Sequence, residues 1–293
     1  MADQTNKNVD NRKSAGAHMR FRRAVCYIVL VLVSIMCLFW FYVLLINATR
    51  SHGSLITSGF TVVPGGNLVK NFDNLFHSSQ PVLRGMVNSI LVSGLTAALC
   101  VYFSAMTAYA LHAYDFALKN VLFTFILAIM MIPTQVTALG FLQLVRGMKL
   151  EDNFIPLVVP AIASPVVFFY MKQYMESTLP LALLEAARID GAGEIRIFNS
   201  IVIPLMKPAL AVQAIFSFVS SWNNYFTPQL ILHDSRMKTL PILIANLRSA
   251  DFLKFDMGQV YAMIAFSIFP VIVVYLILSK YIVSGVALGG VKG

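Results

Sequence analysis

From Val25 to Leu45 the chain carries no charged residue, and five further apolar stretches follow. A hydrocarbon core of roughly 30 Å takes about 20 helical residues to cross. Six segments meet that length: 24–46, 86–111, 121–145, 154–174, 208–232 and 259–281. Lipid offers no hydrogen bonds, so each backbone N–H and C=O must be satisfied within its own segment, which predicts helices. A membrane β-barrel would show short strands of alternating polarity, and continuous runs such as 25–45 exclude it. The predicted fold class is an all-α membrane protein with six transmembrane helices.

Composition supports this reading. Of the 293 residues, 58% are hydrophobic and 12% charged, whereas soluble domains carry about 25% charge. The net charge of +9 would suggest nucleic acid in a soluble chain, but six of the 22 Lys and Arg precede residue 24. The others lie mostly in short connections, a distribution that signals topology. With the N-terminus inside, 13 Lys and Arg fall on the cytoplasmic side and 9 on the other. Both termini are therefore expected in the cytoplasm, and no nucleic-acid partner is expected. Segment 1–23 reads as a polar cytoplasmic tail, and 24–85 as a retained first helix with a long outer loop. Segment 86–281 reads as a five-helix core, and 282–293 as a cytoplasmic C-terminal tail.

The spans contain little reactive chemistry. No carboxylate or histidine sits in mid-membrane to relay protons. No phosphate loop, HExxH motif or Cys/His cluster occurs. Cys26, Cys37 and Cys100 lie in apolar runs and read as small buried hydrophobes. No catalytic residue, metal site or resident cofactor is expected. Prolines inside the spans (Pro133, Pro156, Pro160, Pro165, Pro228, Pro270) remove ladder hydrogen bonds and kink helices. Such kinks occur in ordinary membrane helices and also where helices line a cavity. Ser89, Ser93 and Ala97 recur at four-residue spacing, as do Gly94 and Ala98, and make small faces for close helix approach.

The most informative segment is the connection 175–207. Leu183, Ala186, Ala187 and Ile189 give an apolar stripe near helical spacing. Pro180 suits a first turn, and Gly191 and Gly193 stop the helix. A second short helix is predicted from Glu194 to Val202, ending at Pro204. From pattern alone, this hairpin could also be an interfacial packing plug.

Glu185-Ala186-Ala187, Gly191 and then Ile201, Ile203 and Pro204 at fixed spacing resemble the EAA loop of ABC importer membrane subunits. The fuller string from Glu185 to Ala192 (Glu-Ala-Ala-Arg-Ile-Asp-Gly-Ala), with Pro204 to Pro208, is similar to the carbohydrate branch, the MalG-like permeases. Asn88-Ser89, Pro133, Ser221-Trp222-Asn223 and the ending Gly289 to Gly293 also look like landmarks of this family. Two positions depart from it: Ala182 and Asn224 stand where acidic residues are common.

The resemblance implies a sugar-importing permease subunit of a bacterial cytoplasmic membrane, embedded in lipid. Its partners would be a second permease subunit, two copies of a cytoplasmic ATPase subunit and an extracytoplasmic sugar-binding protein. ATP and Mg would be held by the ATPase subunits. Glu185, Ala186, Ala187, Asp190, Gly191, Ala192 and Pro204 would couple to the ATPase. Gly290, Lys292 and Gly293 would form a second contact to it. Trp222, Asn223, Asn224 and Tyr225 are candidates for the substrate pathway, since aromatic faces stack on sugar rings and amides satisfy hydroxyls. Two alternatives stand: an ABC permease for another solute such as glycerol phosphate or a peptide, and a secondary sugar transporter. The second should show repeated spans and buried ionisable groups, and neither is visible.

Overall fold

A computed structural model of the chain describes residues 2–249 and 255–289, with side chains described for 19–133, 135–249 and 255–282. Among these residues all regular structure is helical. In chain order the helices are α1 (Ala2–Ala48), α2 (His52–Thr57), α3 (Leu68–Phe76), α4 (Val82–Ala113), α5 (Lys119–Ile129), α6 (Thr134–Gly147) and α7 (Ile155–Val158). A 3₁₀ turn, Val159–Ile162, leads to α8 (Pro165–Thr178), α9 (Leu181–Ile189) and α10 (Glu194–Ile197). A π-helical turn, Phe198–Val202, then leads to α11 (Ile203–Leu205), α12 (Lys207–Trp222), α13 (Phe226–Ile231), α14 (Leu240–Arg248) and α15 (Met257–Gly289).

Four stretches are long and apolar enough to cross a membrane: Met19–Ala48, Val82–Ala113, Ile155–Thr178 and Met257–Ile282. A fifth results if Glu194–Leu205 and Lys207–Trp222, which meet at 82°, count as one broken span. The expected span 121–145 is not one helix. It divides into α5 and α6 around Pro133, whose extended ψ of 129° starts α6. Proline disfavours the helical region for the residue before it, so the break falls where the ring sits. Likewise 208–232 is interrupted after Trp222, and 154–174 changes from α7 through a 3₁₀ turn before Pro165 restarts the helix.

The chain divides into two compact units. The first comprises Met1–Phe72 and Asp256–Ala265. Its organising group is Arg50, a buried cation that donates to the carbonyls of Gly59 (2.7 Å) and Ser54 (2.8 Å) and to Ser54 Oγ (3.1 Å). No carboxylate pairs with it among the described residues, so carbonyl dipoles carry its solvation. Asn71 Nδ2 donates to the carbonyls of Ala48 and Arg50 at 2.8 Å each. Gly258 lies so close that a Cβ there would stand 2.8 Å from the Asn71 amide and 2.9 Å from the Arg50 carbonyl oxygen.

The second unit, Asp73–Phe255 and Phe266–Gly293, is built on α4, along which α8, α12, α7 with its 3₁₀ turn, and α14 pack. Ser89, Ser93 and Ala97 are all buried, so the four-residue repeat is a packing face, as its small side chains allow. Gly85 continues that face: a Cβ there would overlap Leu243 Cδ1 of α14. Cys100 is buried in this core, whereas Cys26 and Cys37 are exposed on α1. The expectation of three buried cysteines is corrected for those two, because α1 presents most of its apolar surface outward.

Candidate functional site

Two sites emerge from the second unit: a docked loop and a cavity at the helix breaks. In the loop, Pro180 precedes α9 in an extended conformation (φ −66°, ψ 133°), and α9 ends in a glycine cap. Gly191 adopts φ +78°. Its N–H donates to Arg188 O and that of Ala192 to Ala187 O, both at 3.0 Å. These two bonds satisfy carbonyls that the helix end would leave unpaired. The small residues of the Ala-Ala-x-x-x-Gly pattern thus have a local reason. Ala187 is buried against the core, and Gly191 takes a backbone conformation that L side chains rarely adopt.

Leu184, Ala187, Ile197, Phe198, Val202 and Met206 pack in one cluster with Tyr109 and Leu111 of α4 and with Met171 and Met175 of α8. The loop is therefore seated on the ends of two long helices. The predicted second helix ends at Leu205, one residue past Pro204, where the chain turns by 82° into α12. α10, the π turn and α11 run on without a break from Glu194 to Leu205, so Pro204 lies at the C-terminal end of one helical segment. Pro204 itself is exposed.

An ion pair bridges the loop's halves. Arg188 Nε donates to Glu194 Oε1 at 2.7 Å, and Tyr109 Oη donates to Glu194 Oε2 at 2.6 Å. The Arg188 guanidinium also lies over the Tyr114 ring, 5.2 Å from its centroid. The hydrogen bond from Arg188, then that from Tyr109, hold the Glu194 carboxyl down at about 2. Glu194 in turn raises the Arg188 pKa. Arg188 is thus engaged away from Glu185. Glu185 is exposed with no ion-pair partner among the described residues, as are Ala186 and Asp190 beside it. The outer face also presents Ile189 and Ile195, 86% and 77% exposed. Gly290, Lys292 and Gly293 lie outside the described residues.

The second site is a cavity of about 190 Å³ bounded by α4, the middle of α6, α7 with its 3₁₀ turn and the α12–α13 junction. Pro156, Pro160 and Pro228 line it, in keeping with irregular backbone at membrane depth being tolerated where it borders a cavity. The polar lining consists of Ser89, Ser93, Ser221, Asn224, Thr227 and Thr239, with no charged side chain among the described residues. Of the four candidate pathway residues, only Asn224 lines it. Trp222 is buried with its ring stacked on Phe218 (5.6 Å between centroids, 18° between planes), while Asn223 and Tyr225 are exposed. Sequence reading missed Tyr109 and Glu194, which are 85 residues apart, and Thr239, which resembles any helix-starting threonine. An acidic residue opening α10 beyond a glycine turn was the one available signal for Glu194.

Residues 101–288 match the family described as binding-protein-dependent transport system inner membrane component, and the chain belongs to that family. It is 36% identical over 269 residues to the arabinooligosaccharides transport system permease protein AraQ of Bacillus subtilis (strain 168), covering 90% of this chain and 93% of that relative. It is 31% identical over 265 residues to the sn-glycerol-3-phosphate transport system permease protein UgpE of Yersinia pestis bv. Antiqua (strain Antiqua), covering 89% and 94%. Its fold matches the crystal structure of a bacterial ABC transporter involved in the import of the acidic polysaccharide alginate. That match has a TM-score of 0.76 at 23% identity and covers 89% of this chain and 96% of the other.

Proposed function

We propose that this chain is one of two membrane subunits of an ABC importer for a sugar or short oligosaccharide. It forms half of a translocation path that alternates between outward and inward openings. The observation that carries the reading is the docked loop. A helix, a glycine cap and a second helix are fixed to α4 and α8 on one side and present Glu185, Ile189 and Ile195 on the other. A membrane subunit without a phosphate loop must receive ATP-derived work through a mechanical contact. An exposed carboxylate flanked by apolar side chains suits a basic, apolar cleft on an ATPase. Ala186, Asp190 and Pro204 lie exposed in the same loop, and the terminal Gly290, Lys292 and Gly293 add a second contact. ATP and Mg reside on two ATPase subunits, and an extracytoplasmic binding protein delivers the solute.

The proposed topology has six crossings with both termini cytoplasmic. The fifth crossing is α12, and the third is the α5–α6 pair interrupted at Pro133. Sugar is preferred as the solute because the AraQ relatives of Bacillus subtilis and Halalkalibacterium halodurans are 36% and 34% identical, and the UgpE relative is 31% identical. The test is reconstitution of the complex in lipid nanodiscs with its binding protein. Loaded binding protein should stimulate ATP hydrolysis, and a ligand screen of that protein should return a saccharide. A screen returning glycerol phosphate or a peptide would replace the sugar reading. ATP hydrolysis indifferent to loaded binding protein would remove the importer reading.

A further inference from the structure

We infer that the groove between α4, α12 and α15 holds one acyl chain of an anionic phospholipid, with the lipid phosphate on Lys207 and Lys280. The groove has a volume of about 320 Å³ and lies wholly within the second unit. Ala97 and Ala98 of α4 form one wall, Ala211 and Ala214 of α12 the second, and Leu278 of α15 the third. Small residues ordinarily let membrane helices close on one another. Here α15 stands off instead. Ala98 is exposed, and a Cβ built on Gly94, one turn before it, has no atom within 4 Å. The Gly94–Ala98 repeat is therefore open and not packed. An empty gap would forfeit dispersion contacts on all its walls, so in a bilayer it fills with hydrocarbon.

Charge selects the lipid. At the end of the groove nearest the docked loop stands Lys207, the first residue of α12, exposed and with no ion pair among the described residues. Lys280 lies on the neighbouring wall, its Nζ 5.0 Å from the centroid of the Tyr281 ring, which also lines the groove. No Asp or Glu occurs in 94–105, 203–214 or 266–282, the segments that form the walls, so nothing in them neutralises the two cations. Lysines beside a membrane span attract anionic headgroups, and the N-terminus of α12 adds its own positive dipole end. Tyr102 and Tyr281 line the same end, with the amphipathic rings that settle at headgroup depth. The length fits as well. From Lys207 to Ala214 the α12 wall runs for about 10 Å, enough for the upper part of an acyl chain beneath its headgroup. A second membrane-crossing helix would need a contact of roughly 30 Å. Ile203, at the end of the docked loop, borders the groove, and Tyr102 Oη donates to Asn199 Oδ1 of that loop at 3.3 Å. The lipid therefore abuts the coupling segment.

The test is native mass spectrometry of the complete complex in detergent, titrated with dioleoyl phosphatidylglycerol or dioleoyl phosphatidylcholine. The first phosphatidylglycerol should bind the wild type severalfold more tightly than the first phosphatidylcholine. Lys207→Gln and Lys280→Gln should each weaken that first event by about fivefold, and the double variant by more, with phosphatidylcholine binding unchanged. Lys207→Arg should bind like wild type. Ala98→Phe, which fills the groove, should abolish the tight event while the complex keeps all its subunits. Inorganic phosphate at about 10 mM should leave it intact. Equal phosphatidylglycerol affinity in the double variant and the wild type would overturn the site, as would equal wild-type affinity for the two lipids. Displacement by inorganic phosphate would assign the lysines to a free anion and overturn the lipid. Loss of the second permease subunit from the Ala98→Phe complex would give the groove to a protein helix and overturn it as well.

Discussion

Arg188 and Glu194 close a 2.7 Å charge-assisted hydrogen bond across the Gly191 cap, so the two short helices of the loop are tied by side chains as well as by backbone. Tyr109 extends the tie to α4. A movement imposed on α9 therefore reaches a long helix through a defined set of atoms.

Glu194→Gln keeps the shape of that contact and removes its charge. It should loosen the loop from α4, seen as faster amide hydrogen exchange over residues 181–205, and lower transport per ATP. The pH dependence has a fixed sign. The Glu194 carboxyl is held at about 2, below its ordinary value of 4.5. Its contribution is complete above pH 4.5 and is lost as pH falls toward 2. Loop protection in the wild type should therefore be flat from neutral pH to about 4.5 and fall below it, while Glu194→Gln should lack this acid-dependent component. An unchanged acid profile in Glu194→Gln would remove the carboxylate from the account.

Glu185 contrasts with Glu194, since it is exposed and pairs with nothing among the described residues. Surface truncation of this kind usually alters stability by no more than about 0.5 kcal/mol. Glu185→Ala should therefore leave insertion, assembly of the two permeases and thermal stability intact, yet reduce stimulated ATP hydrolysis and transport. Full transport by Glu185→Ala would dissociate this carboxylate from coupling.

The legible parts of the chain were those fixed by local pattern. The apolar runs located α1, α4 and α15, and Gly191 marked its own cap, because each depends on residues a few positions apart. Pro133 was visible, but a lone proline in a membrane helix can bend it or break it, and neighbouring packing decides which. The stop at Pro204 was legible to within one residue, whereas the π turn Phe198–Val202 before it was not, since no local residue pattern sets it. The tie from Tyr109 to Glu194 and the cavity wall shared by Ser93 and Thr239 arise from tertiary packing, and no spacing in the sequence announces either.

Asn88 illustrates the same limit, because its amide Nδ2 donates to the carbonyls of both Arg236 and Lys238 at 2.9 Å. It pins the segment entering α14, and with it Thr239. Asn88→Ala should cost about 0.5–1.5 kcal/mol for each of the two hydrogen bonds lost. Asn88→Asp should cost more, since a carboxylate would face two carbonyl oxygens with no proton to donate. Thermal unfolding in detergent, with limited proteolysis around residues 233–239, gives the order. Equal stability of Asn88→Asp and wild type would contradict the donor geometry.

Gly191 allows a backbone effect to be separated from a steric one. Its φ of +78° is unfavourable for L residues, yet a Cβ built there has no atom within 4 Å. Gly191→Ala should therefore lose about 1–2 kcal/mol from conformation alone. Gly191→Asn should lose less, because asparagine tolerates the left-handed region, and Gly191→Val should lose more, because a β-branched residue rarely enters it. The order Gly, Asn, Ala, Val should appear both in thermal stability and in transport per ATP, since the cap holds the Ala187 and Arg188 carbonyls and so sets the path from α9 to Glu194. An order that follows side-chain volume, with alanine milder than asparagine, would show that a partner surface crowds this position and that conformation does not set the cost.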